Sequence, residues 1–129
     1  MKPPDLSVLD AAGVHEWKGP VEPLKAAAAH ASLGFAVVDL SKARDKATLF
    51  GEIDRALKLP DHFGHNWDAL ADVLEDRDWL GKRGRTIVLA HAPAWCKDHP
   101  TEWDTLEEIL AEAAEFWKER NVAFWVFVA

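Results

Sequence analysis

The chain has 129 residues, 49 % of them apolar, and a formal net charge of −7 with histidine neutral. That length suits one domain with a real core. The negative balance argues against nucleic acid, whose phosphates attract basic surfaces, and favours a basic partner or no charged partner. Cys96 is the only cysteine, so no intramolecular disulfide can form. No apolar run approaches the roughly 20 residues of a membrane helix, and Met1–Asp10 lacks the apolar stretch of a signal peptide. A soluble, cytoplasmic protein without a membrane partner is expected.

The chain begins with the N-terminal stretch of residues 1–33. Within it Val14–Trp17 is a short strand or an anchor. Pro23 opens a helix running through Leu24–His30, with Gly34 as its stop. Phe35–Leu40 is an apolar run rich in β-branched residues, which predicts a buried strand. Ser41 or Asp45 caps the next helix, whose apolar face is Leu49, Phe50, Ile53 and Leu57. Pro60 closes it. Beyond the polar turn at Gly81–Arg85, Thr86–Ala90 predicts a second buried strand. His91–Pro100 is a loop with one helical turn around Ala94–Asp98. Thr101 is the expected cap of the longest helix, with Asp104 three residues on. Val122–Val128 predicts a third strand. The class is α/β: a three-stranded parallel sheet with flanking helices, plus an N-terminal helical extension.

Between the second helix and the second strand lies the stretch Leu59–Leu80. It holds six acids (Asp61, Asp68, Asp72, Glu75, Asp76 and Asp78) against one base, Arg77. Asn66 caps a short helix reaching about Glu75, and Asp68, Asp72 and Asp76 recur every four residues along one face. Like charges at that spacing cost a helix about 0.2–0.5 kcal/mol per pair. Asp68 is favoured by the helix dipole in the first turn; Asp72 lies too deep for that. A local rule broken in this way marks a place to look for function.

Catalytic readings of the chain are weak. No serine lies in a nucleophile elbow. Cys96 between His91 and His99 lacks any nucleophile motif. His62 and His65, with Asp61 and Asp68, lack a second ligand pair at metal spacing. Gly81 and Gly84 do not form a phosphate loop. No catalytic residue, metal or cofactor is assigned. Trp67 and Trp79 flank the acidic helix, and either packs inward or meets a partner.

The run Leu59-Pro60-Asp61-His62-Phe63-Gly64-His65-Asn66-Trp67-Asp68-Ala69-Leu70-Ala71-Asp72-Val73-Leu74 resembles the signature of the barstar family, intracellular inhibitors of small secreted ribonucleases. The order of elements from Phe35 to Val128 is similar to that family's three-stranded fold, which leaves residues 1–33 as an N-terminal extension packed on a domain of residues 34–129. The resemblance implies that Asp72 enters a nuclease's phosphate site in place of substrate phosphate, with Asp68 at a basic rim. It implies that His62 and Phe63 plug the entrance and that the backbone at Gly64 approaches the partner closely. Asn66 fixes the loop to the helix. The partner-binding set is then His62, Phe63, Gly64, Asn66, Asp68, Asp72, Asp76 and Trp79, and the partner a small basic secreted ribonuclease. His62 and Ala71 depart from the family's aromatics. Phe116 and Arg120 stand near the places of acids that the family carries on its last helix. Two other readings are an acidic module binding another basic protein, and an enzyme using His62, His65 and Asp72.

Overall fold

The computed structural model describes residues 2–81 and 83–129. Strands β1 (Val14–Glu16), β2 (Gly34–Asp39), β3 (Arg85–Ala90) and β4 (Phe124–Val128) form a parallel sheet in the order β1-β4-β3-β2. The sheet therefore has four strands where three were expected. The added strand, β1, pairs Val14 with Val126 and Glu16 with Val128. Three residues carry no readable alternation, so this strand left no periodic signal. The N-terminal segment is thus part of the sheet as well as the source of helix α1 (Glu22–His30).

Helix ends follow local chemistry, with two departures from expectation. Helix α1 stops at Ser32, which takes φ 59°, whereas Gly34 opens β2 and bonds to the Gly84 carbonyl at 2.9 Å. Between β2 and β3 come α2 (Lys46–Leu57), α3 (Trp67–Leu74) and α4 (Arg77–Leu80). Asp45, not Ser41, caps α2: its carboxylate accepts from Thr48 N–H at 2.8 Å, and the Thr48 hydroxyl accepts from Asp45 N–H at 3.0 Å. Between β3 and β4 come α5 (Ala92–Asp98) and α6 (Pro100–Lys118). Helix α6 begins at Pro100, one residue before the expected Thr101 cap, and has no side-chain cap. Proline suits that position because its missing N–H would have no partner there.

The chain crosses from β1 at one edge to β2 at the other, then steps back through β3 to β4. Right-handed crossovers in opposite directions put their helices on opposite faces. Accordingly Leu24 and Ala28 of α1 join Leu6, Ala12 and Trp17 against Val88, Trp125 and Phe127. The other face, with Val38, Ile87, Leu89, Phe124 and Val126, packs on α2, α3, α5 and α6. Trp125 is 0 % exposed, and its indole N–H donates to the Leu6 carbonyl at 3.1 Å. Among the described residues, no helix is long and apolar enough to cross a membrane.

Gly84 sits where β2, β3 and β4 start together. A Cβ there would lie 1.9 Å from the Ala123 carbonyl oxygen. That oxygen is backbone and accepts the Arg85 N–H at 3.0 Å, so it has little room to move. Gly84→Ala is expected to destabilise the fold by about 3 kcal/mol, the upper end of overpacking costs. A urea titration checks this, the midpoint falling with an unchanged slope.

Candidate functional site

The acidic helix α3 is built from its start. The Asn66 side-chain oxygen accepts from Ala69 N–H at 2.8 Å, and its amide donates to the Gly64 carbonyl at 3.2 Å. One asparagine thus ties the loop to the helix. The loop itself turns tightly: Phe63 N–H bonds the Pro60 carbonyl at 2.9 Å. His65 takes a left-handed backbone, φ 49°, and its Nε2 lies 2.9 Å from a carboxylate oxygen of Asp54 on α2. Gly64, by contrast, has no positive φ; a Cβ there would come within 3.2 Å of the Asn66 amide nitrogen.

Two tryptophans hold the region from beneath. Trp117 on α6 donates its indole N–H to the Leu74 carbonyl at 2.7 Å, and Trp79 donates to the Leu57 carbonyl at 3.0 Å. These are the last carbonyls of α3 and α2, groups left without partners inside a helix. Arg85 lies over the Trp79 ring, 4.3 Å from its centroid, and donates to the Trp79 carbonyl at 3.0 Å. Burial holds the Arg85 guanidinium below the usual arginine range. Phe63 packs edge-on to Phe50, which in turn meets Trp67 at 4.8 Å between centroids.

Of the expected contact residues, His62, Gly64, Asn66, Asp68 and Asp72 are exposed and Asp76 is half-buried. Phe63 and Trp79 are each 7 % exposed. Their rings face the core, so they support the surface from within and offer it little contact area. Helix α3 ends at Leu74, which takes Asp76 off the Asp68–Asp72 face. Asp76 instead caps α4, accepting from Asp78 N–H at 2.8 Å. The fold nevertheless returns Asp76 to Asp72: with His62 they line an open hollow of about 310 Å³ whose other walls are Phe63, Ala69 and Val73. Sequence reasoning missed Ala69 and Val73, which carry no charge; their spacing of four beside Asp72 was the available signal.

The electrostatics are one-sided. Among the described residues, the side-chain ion pairs are Arg55–Glu52, His65–Asp54, His91–Asp39 and Arg120–Glu119. None involves Asp61, Asp68, Asp72 or Asp76. Burial, then the Glu112 carboxylate, push the Glu75 carboxyl above the usual glutamate range; Arg120 opposes this and Asp72 adds to it. Arg120 itself lies 3.6 Å from the Phe116 ring centroid and donates to the Phe116 carbonyl at 2.9 Å. His62 lines the hollow while His65 is held by Asp54. Among the described residues, no group of three or more His, Cys, Asp or Glu is placed to hold a metal.

Because the fold raises the Glu75 pKa, the ionised carboxylate costs the folded state at neutral pH, and that cost disappears below the unfolded value of about 4.3. Glu75→Gln is therefore expected to be more stable than the parent at pH 7. Thermal unfolding across pH checks this, the two curves converging as the acid range is entered.

The sequence model of one family, described as barstar (barnase inhibitor), matches residues 33–129. No curated protein matches the chain. The matched span runs from the residue before β2 to the residue after β4 and contains the whole of the loop, α3 and the acidic hollow. With three quarters of its length under that match, the chain belongs to the barstar family.

Proposed function

We propose that this chain is a non-catalytic protein inhibitor that fills the active site of a small basic ribonuclease, with Asp72 standing in for substrate phosphate. The observation that carries this is the Asp72 carboxylate. It is exposed on α3 at the edge of the hollow, and among the described residues no cation pairs with it. A carboxylate held this way presents its lone pairs to incoming arginines, which match them in bidentate fashion. A nuclease that grips phosphate carries such cations already.

Asp68, one turn earlier, would meet the basic rim. His62 and the Gly64 backbone would meet the entrance, and Asp76 would deepen the negative potential of the hollow. Asn66, Phe63 and Trp79 would act by fixing the surface. In the same reading residues 1–33 are an extension covering the second face of the domain 34–129, and the inhibitor works in the cytoplasm against an otherwise secreted enzyme. Arg120 on Phe116 puts a cation at the end of α6. Together with Ala71, it favours a nuclease other than barnase, with a rim opposite that corner that is not uniformly basic. Complementary charge would speed encounter, so association should slow as salt rises.

Titration of small secreted ribonucleases in an RNA-cleavage assay tests the reading. Stoichiometric inhibition is expected, weakened more than about tenfold by Asp72→Ala, the scale of a lost charge-assisted contact. Inhibition indifferent to Asp72→Ala would sink the mechanism. Binding that leaves cleavage intact would instead support an acidic interaction module.

A further inference from the structure

At the opposite edge of the sheet from β2, β1 leaves one side of its backbone open. Val126 N–H bonds the Gly13 carbonyl and Trp17 N–H bonds the Val128 carbonyl, each at 2.9 Å. Parallel ladders alternate, so the odd-numbered residues face β4 while Val14 and Glu16 turn their N–H and C=O groups outward. Among the described residues, no strand pairs with that edge. Beside it lies a crevice of about 370 Å³, walled by Val14 and Glu16 on one side and by Pro93, Cys96, Trp103 and Glu107 of α5 and α6 on the other. Burial, then the Glu107 carboxylate, push the Cys96 thiol up.

The position has a topological reason. From the carboxyl end of β1 the chain leaves for α1 on one face, whereas from that of β3, on the far side of β4, it leaves for α5 and α6 on the other. Strands whose outgoing connections diverge in this way leave a crevice at the carboxyl ends of the sheet, where parallel sheets take ligands. Its volume falls within the usual range of such sites.

We propose that this crevice is a second docking site, for an extended peptide segment that adds to the free edge of β1. The peptide's backbone would bond the outward groups of Val14 and Glu16. Its alternate side chains, two residues apart, would enter the crevice: an apolar one against Trp103 and Pro93, and a lysine or arginine between Glu16 and Glu107. Charge selects the basic residue, because the two carboxylates outnumber the one amine lining the crevice, Lys18. This site is separate from the hollow at Asp72, and the proposal does not depend on nuclease inhibition.

The test is an amide-resolved NMR titration of the full chain with the capped peptide acetyl-Thr-Val-Thr-Lys-Thr-amide. Saturable shifts are expected at Val14, Glu16 and Cys96 and at the Trp103 indole N–H. Glu107→Lys, an exposed helix position, should weaken binding about tenfold, the effect of losing a charge-assisted contact, and should turn preference towards the same peptide with glutamate for lysine. Glu16→Lys should act likewise. Four results would each overturn the proposal. These are no saturable shift at millimolar peptide, equal shifts from the glutamate peptide on the parent protein, shifts confined to Asp68–Asp76, or the full pattern reproduced by lysine amide alone.

Discussion

The arrangement of the acidic surface depends on one hydrogen bond, from the Trp117 indole to the Leu74 carbonyl. Helix α3 has eight residues and is too short to be stable by itself in water. It also carries carboxylates that pair with no cation among the described residues, and none of the basic residues in its last turn that would relieve its dipole. Its persistence rests on tertiary contact. Leu70, Val73 and Leu74 are buried, and the terminal carbonyl is met by a tryptophan that is itself 1 % exposed. An indole suits the task because it fills the core and still ends in a donor.

That support has an electrostatic counterpart. The carboxylates of Asp68 and Asp72 stay in water, so the surface escapes the large penalty of burying a charge. Glu75, which is partly withdrawn from solvent and faces Glu112, shows what the penalty looks like when it begins to act. Helix α3 thus divides its duties between a buried apolar side that anchors it and a wet acidic side that is free to be neutralised from outside.

Much of this was legible in the sequence because it is local. Asn66 declared the start of α3, and the apolar runs declared β2, β3 and β4. What was not legible lies in partnerships between distant residues. Val14–Trp17 reads as a short strand or an anchor, and the strand reading holds, but its pairing with the free edge of β4, more than a hundred residues later, is nowhere written in those residues. Spacing alone puts the aspartates in a single helical row, but the chain turns at Glu75, and Asp76 returns to Asp72 as the cap of a new helix. Phe63 and Trp79 carried the composition of an interface, and only packing could show that their rings face inward.

The topology of β4 also governs the order in which the molecule can assemble. Both neighbours of β4 precede it in the chain, one by a single crossover and the other by nearly the whole sequence. The Trp125 indole meets the Leu6 carbonyl across 119 positions. Until β4 is available, β1 has no strand to pair with and α1 has no Trp125 or Phe127 to cover. Contacts of that span are slow to close, since the loop entropy must be overcome before they contribute. During synthesis the first thirty residues would therefore wait as unpaired chain, and the sheet would become complete only after β4, one of its two inner strands, had left the ribosome.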